Sequence, residues 1–421
     1  MADTIGNAPF VELRFDKAGT VEQGSPAALE AALATSGGTD LVVLSHGWKF
    51  EGEEPRQLYE RMWPGIAASL ADRKVAVAGV VWPSKRYTTP VDDAVLAAAA
   101  GGGVQAAGEG PVATDVDDAA LAEAVQAAAG LFPSPAVDAA AAAYLAAPGA
   151  EAAGALLGAV LDAAGLDTGD GELADEAQRL GEVRDDVGLA LARFALPPKV
   201  TATDEVRTVL GVGDALTRLF RGPRAALLRL LEQFSFFEMK ERAGTVGTSL
   251  GTLLSQVRPA EASRLHLVGH SFGARLVTAA ALAFQPSPKL ALSSLTLLQG
   301  AFSHNALSGS HGGFYRAVVD RVPGPIVVTH THNDRALTIA YALASRFSND
   351  TVKQLGDAND PFGALGANGA LFLAEDALVG DDSFKPERGK LTNFLANDWV
   401  KDHNDIANPT VGRLVAAAIG A

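Results

Sequence analysis

Short, wholly apolar runs set between stretches of helical pattern constrain this chain more than any other feature. Leu41–Leu44 (LVVL) and Val75–Trp82 (VAVAGVVW) lack polar alternation, as strands buried on both faces do. Leu265–Val268, Leu295–Leu298 and Ile326–Thr329 repeat that texture later on, and Leu391–Ala396 is a last candidate strand. Phe10–Phe15 (FVELRF) alternates apolar and polar residues, the pattern of a half-buried strand. Helical patterns at Ala27–Ala34, Arg56–Asp72, Ala274–Phe284 and Thr410–Ile419 lie between these runs or follow them. Strands alternating with helices predict an α/β fold with a mostly parallel central sheet flanked by helices.

The middle of the chain has another texture. Residues 89–249 carry runs such as AVLAAAA and AVDAAAAAYLAA, with Gly and Pro punctuation and no convincing strand. Alanine is the best helix former, so a large Ala-rich helical insertion is expected between two parts of the α/β core, 1–88 and 250–421. A biased genome composition would account for the alanines equally well, and it leaves the helical expectation unchanged.

With 48% hydrophobic and 20% charged residues over 421 positions, the chain is too apolar for disorder. It has no cysteine, which excludes disulfides, thiolate catalysis and Cys-based metal sites. A net charge of −15, from 34 basic and 49 acidic residues, argues against nucleic acid or an anionic membrane as partner. The first residues, MADTIGNAPFVELRFDK, lack the basic and apolar regions of an export signal. The most apolar stretch, Ala119–Leu166, is broken by Pro133, Pro135, Asp138, Pro148 and Glu151. No integral membrane segment is therefore expected, and a cytoplasmic location is the default.

Two stretches match G-x-S-x-G: Gly269-His270-Ser271-Phe272-Gly273 and Gly247-Thr248-Ser249-Leu250-Gly251. A nucleophile elbow needs a strand, a sharp turn and a helix, with glycines where neighbouring backbone leaves no room for a Cβ. RLHLV precedes the first match and ARLVTAAALAF follows it, so Ser271 has that context. The second match follows the helical pattern FSFFEMKERAG, so Ser249 reads as a helix residue.

The elements GHSFG after a strand, Leu44-Ser45-His46-Gly47-Trp48 after another, and Trp82-Pro83-Ser84 after a third resemble the α/β-hydrolase fold family. The resemblance covers residues 1–88 and 250–421. It implies a serine nucleophile, an acid and a histidine in that chain order, on loops after later strands. Ser271 is then the nucleophile. Among His304, His311, His330, His332 and His403, only His403 follows the last candidate strand and precedes the final helix, where the base belongs. Asp334, a few residues beyond Ile326–Thr329, is the expected acid, with Asp402 and Asp405 beside His403 as rivals. Backbone N–H groups of Phe272 and of Trp48, or of Gly47 instead, would form the oxyanion hole. His46, His270, Trp82 and His304 are candidate substrate-binding residues; for His46 a hydrogen bond to neighbouring backbone is the simpler role. The 180 or so residues between Trp82 and the elbow strand depart from the family's usual layout, in which a cap comes later.

His330-Thr331-His332-Asn333-Asp334 matches H-x-H-x-D, the opening of a metal motif in metallo-β-lactamase-like hydrolases. Arg335 stands where that motif wants a further ligand, and the motif comes late in the chain, so no metal is expected. Arg218, Arg221, Arg224 and Arg229 form a basic patch, balanced by Glu232, Glu238 and Glu241 as on a solvated helix face. The expectation is a serine hydrolase that uses no cofactor and cleaves small-molecule esters, probing apolar acyl groups with the insertion as a cap. Alternatives are an amidase or peptidase of the same fold, a silent hydrolase fold used for binding, and an insertion that is passive decoration.

Overall fold

The computed structural model describes residues 3–48, 50, 52–70, 72–84, 118–164, 223–334, 337, 363–373, 377–381 and 383–421. The chain divides into two compact units. Residues 1–85, 239–337 and 363–421 form the first, and residues 86–238 and 338–362 the second.

The first unit is built on a ten-stranded sheet. Its strands are β1 (Thr4–Ile5), β2 (Ala8–Phe15), β3 (Val21–Gln23), β4 (Asp40–Ser45), β5 (Val75–Val81), β6 (Ser263–His270), β7 (Leu290–Leu298), β8 (Ile326–His330), β9 (Leu378–Gly380) and β10 (Leu391–Leu395). The spatial order is β1-β2-β5-β4-β6-β7-β8-β10-β9, with β3 also on β2. Every pairing from β2 across to β9 is parallel, and only β1 and β3 run antiparallel to β2. Each apolar run of the sequence lies in a strand, and β4 and β5 are buried along their whole length. The short strands β1, β3 and β9 have no apolar run to announce them. Val379 in β9 is 87% exposed, so burial patterning has nothing to act on there.

Helix α1 (Pro26–Ser36) begins at Ser25, whose hydroxyl caps the Ala28 N–H, with Pro26 at the first position, where its missing N–H costs nothing. It packs on β2 and β5. Helix α2 (Glu54–Ala67) packs against the C-terminal helix Pro409–Gly420. Together they cover one face of the sheet, burying Val42, Leu44, Val77, Val268 and Leu298 with Tyr59, Trp63, Val411 and Val415. Alternate strand residues point to opposite faces, so Leu41 and Val43 serve the other side.

In the second unit, α3 (Asp118–Leu131), α4 (Pro135–Ala146), α5 (Ala150–Ala164) and the start of α6 (Pro223–Leu254) share one core. Leu121, Val125, Val137, Leu156, Val160, Leu230 and Phe234 fill it, with Ala124, Ala128 and Ala141 buried among them. The helical expectation holds for these residues; 85–117 and 165–222 lie outside the described ones. The insertion is expected to probe apolar acyl groups, but the apolar face of α5 is spent in this core: Leu156, Leu157 and Val160 are fully buried within it. The boundary also differs from the expected 249, since α6 from Met239 onward belongs to the first unit.

That part of α6 explains the second G-x-S-x-G. It packs on α7 (Phe272–Ala283), where a Cβ on Gly247 would strike the Leu276 carbonyl oxygen and one on Gly251 that of Ala280. The glycines sit four apart on one helix face, and helix–helix approach accounts for the spacing. Among the described residues no helix is long and apolar enough to cross a membrane.

Candidate active site

Strand order reverses between β4 and β6. From β4 the chain moves outward to β5 on one side, whereas β6 leads to β7, β8 and β10 on the other. Loops leaving two such strands diverge and open a crevice at the C-terminal sheet edge. Ser271 stands there, between the end of β6 and the first residue of α7. Its backbone has φ 58° and ψ −124°, a conformation that costs an L-residue on the order of 1–3 kcal/mol. The neighbours hold it there. Ser271 N–H donates to Leu298 O at 3.0 Å, and Ser271 O accepts from Ala274 and Ala301 N–H at 3.0 and 3.1 Å. A Cβ on Gly269 would strike the Gly273 carbonyl, and one on Gly273 the Ser45 and His46 carbonyls, so both glycines of the motif are required by close approach.

The parallel order β6-β7-β8-β10 brings the loops after β8 and β10 to the same edge. Asp334 follows β8 and is fully buried, and His403 follows β10. His403 Nε2 lies 2.9 Å from Ser271 Oγ, and its Nδ1 lies 2.7 Å from Asp334 Oδ2. Asp334 Oδ1 accepts from the Leu337 N–H at 3.0 Å, so both carboxylate oxygens are engaged. The rivals have other work. Asp405 Oδ2 accepts from Lys401 N–H at 3.0 Å, and Asp402 Oδ1 from Asn404 N–H at 2.8 Å, both shaping the loop that carries His403.

The loop after β4 closes over the serine. A methyl group on Gly47 would lie 2.6 Å from Ser271 Cβ. His46 Nδ1 is 2.8 Å from the Gly47 carbonyl oxygen, which can only accept, so Nδ1 carries the proton. Its Nε2 then accepts from Trp82 N–H at 3.3 Å, Trp82 Nε1 donates to His46 O at 3.1 Å, and the Tyr59 hydroxyl accepts from His46 N–H at 2.9 Å. Burial pushes the imidazole down to about 3, with the bond to Gly47 opposing, and so keeps it neutral. In a trans peptide the C=O and N–H point opposite ways, so pinning the Gly47 carbonyl also sets the direction of the Trp48 N–H. Trp48 itself packs edge-on against Phe272, ring centroids 5.5 Å apart. Phe272 opens α7, a position whose N–H has no carbonyl four residues back within the helix.

Of the four substrate-binding candidates, His46 makes the bond to neighbouring backbone that is its simpler role, and all four are buried. His46 is fully buried with both ring nitrogens engaged, and Trp82 is stacked on it at 5.6 Å beneath the loop. His270 is buried and donates from Nε2 to His403 O at 2.8 Å. His304 is buried too, its Nδ1 3.0 Å from Asn368 Nδ2 and its backbone N–H donating to Gly363 O. Apolar or polar, none of these rings presents a surface to a ligand; each holds a loop.

The H-x-H-x-D residues do not converge. Asp334 is bound to His403, His332 is exposed with Nδ1 3.4 Å from Asn397 Nδ2, and the part-buried His330 is pushed down to about 4, chiefly by burial and then by His332. Among the described residues no group of three or more His, Asp or Glu could hold a metal ion. Arg218, Arg221 and Arg335 lie outside the described residues.

Two asparagines escaped sequence reasoning. Asn333 Nδ2 donates to the carbonyl oxygens of Asn397 (2.9 Å) and Val400 (2.8 Å), tying the Asp334 loop to the His403 loop. Asn397 Oδ1 accepts from His332 N–H at 2.9 Å and lies 3.1 Å from Thr331 Oγ1. Only their nearness to Asp334 and to the last strand could have drawn attention to them. No protein-family model, curated protein or solved structure matches the chain.

Proposed function

We propose that the chain is a serine hydrolase of the α/β-hydrolase type that cleaves carboxylic esters by acyl transfer. One observation carries the reading: an unbroken hydrogen-bonded line from Asp334 through His403 to Ser271, ending on a strained elbow serine. A neutral His403 with its proton on Nδ1 presents a bare Nε2 to the serine hydroxyl, as a general base must. Ser271 Oγ attacks the ester carbonyl carbon while its proton passes to His403 Nε2. The resulting imidazolium is held by Asp334. The carbonyl oxygen becomes an oxyanion, stabilised by the backbone N–H groups of Phe272 and Trp48. Collapse breaks the bond to the alcohol, which leaves with the proton from His403. Water then attacks the acyl-enzyme by the same route and releases the acid and free Ser271.

This chemistry calls on groups of the first unit alone and on no cofactor. No step of it depends on the second unit, whose described helices bury their apolar faces in a core of their own. Labelling with a fluorophosphonate probe tests the reading. Wild type should label at Ser271 and hydrolyse a short nitrophenyl ester, Ser271→Ala should do neither, and Ser249→Ala should do both. A wild-type chain that is folded yet neither labels nor hydrolyses would instead be a binding module.

A further inference from the structure

His270, the variable residue inside the Gly269–Gly273 motif, touches more of the site than its position in the pattern suggests. Its backbone leads directly into Ser271. Its ring contacts two other loops. Nε2 donates to the carbonyl oxygen of His403 at 2.8 Å, and the two imidazoles lie 4.9 Å apart at a tilt of 43°. A Cβ on Gly47 would lie 3.1 Å from its Nδ1, so the ring also backs the loop that carries Trp48. We propose that His270 is a positioning residue that sets the loops of His403 and Gly47 in register with Ser271, acting as a neutral hydrogen-bond donor to the base's own backbone.

The ring is suited to this by its protonation. The His403 carbonyl can only accept, so Nε2 must carry hydrogen. Nδ1 is buried and has no hydrogen-bond partner, so a second proton there would be an unsatisfied buried donor. Burial first, and then the charge on His403, hold this imidazole well below its ordinary range. Among the described residues the charges that act on it are those of His403 and His46, and neither favours the cation. When His403 takes the serine proton, His270 therefore stays neutral, and the positive charge rests on the ring that Asp334 holds. The Asp334 bond fixes the His403 side chain, whereas the His270 bond fixes its backbone. Two anchors define where Nε2 stands relative to Ser271; one leaves it free to swing.

The inference rests on the acyl-transfer reading, and its test separates the two. In the full chain, His270→Met keeps an unbranched apolar filling but removes the donor, whereas His270→Gln returns an N–H at similar reach. With wild type active, His270→Met should lose about 10- to 100-fold in kcat with little change in KM, since misplacing a catalytic group by about 1 Å can cost about 10²-fold. His270→Gln should recover most of the loss. The low-field proton signal of the His403 Nδ1–H in the resting enzyme should broaden in the Met variant and return in the Gln variant. A folded His270→Met with wild-type kcat and an unchanged signal would overturn the proposal while leaving the serine hydrolase intact. If that variant does not fold, NMR of the ring nitrogens in wild type decides. Protonated Nε2 with bare Nδ1 from about pH 5 to about pH 9 supports the role, and a ring titrating near the ordinary histidine range of about 6.5 rejects it. Failure of wild type to label would sink the underlying reading instead.

Discussion

Asn333 spans the gap between the Asp334 and His403 loops: its side-chain amide donates to the Val400 carbonyl at 2.8 Å and to that of Asn397 at 2.9 Å. It neighbours Asp334, so these two bonds fix the separation across which Asp334 and His403 meet. Asn333→Ala leaves two partly buried carbonyls without their donor, at about 1–3 kcal/mol. The expected result is a lower melting temperature together with a loss of up to about 10²-fold in kcat, because the triad geometry loosens. Stopped assays with a nitrophenyl ester, run beside calorimetry, check both. Lost stability with unchanged kcat would show that the bridge supports the fold alone.

Gly47→Ala is the sharpest test of the loop after β4. The new methyl would stand 2.6 Å from Ser271 Cβ, closer than real carbon atoms approach, so the loop or the serine must shift. Either shift moves the Trp48 N–H away from the oxyanion position proposed above. We expect kcat/KM to fall by about 10²-fold or more, the order seen for losing one such donor. Retained activity would mean that the oxyanion is bound elsewhere.

Asp334→Asn should keep the fold and lower kcat by roughly 10²- to 10⁴-fold, because an amide no longer selects the Nδ1–H tautomer of His403. Asp405→Asn should change kcat far less, since the Asp405 carboxylate serves the Lys401 N–H. Parallel kcat measurements on the two variants settle the assignment, and the reverse order of effects would transfer the acid role to Asp405.

Much of the sheet was legible because burial on both faces leaves a continuous apolar run, as in Leu41–Leu44 and Val75–Val81. The meeting of Ser271, Asp334 and His403 was legible for a different reason. In a parallel sheet the loops after the strands gather at one edge, and each of the three follows a strand. The backbone bond of His46 was legible as its simpler role, whereas the roles of His270, Trp82 and His304 were not. A histidine near a nucleophile looks the same in sequence whether it faces a ligand or ties down a carbonyl, and only the partners of its two nitrogens tell them apart. Asn333 was silent for the same reason. The division between the units falls inside α6, one continuous helix, and nothing in its sequence marks Met239 as the point where its neighbours change.

Stability should fall as pH drops below neutrality, through histidines that are buried neutral. Burial takes His46 down to about 3 and His330 to about 4, and it also holds His270 well below 6.5. Above the unfolded value of 6.5 these groups are neutral in both states and contribute nothing to the pH dependence. Below it the unfolded chain takes up protons that the folded chain refuses, so folding is disfavoured until the folded value is reached. Each such histidine withdraws about 1.4 kcal/mol per pH unit in that window. Asp40 adds a loss of the same sign at lower pH. Burial would raise its carboxyl, but hydrogen bonds from His266 and Arg264 outweigh that and hold it below 3.8, so its contribution disappears only as pH falls past that value. Melting temperature measured in steps from about pH 7.5 to about pH 4.5 should therefore be level at first and decline from near 6.5. His330→Asn, at a ring outside the proposed chemistry, should shallow the decline without altering the plateau. A melting temperature that stays flat across the whole range would mean that these rings are protonated in the folded chain, and with it the neutral His46 tautomer would be lost.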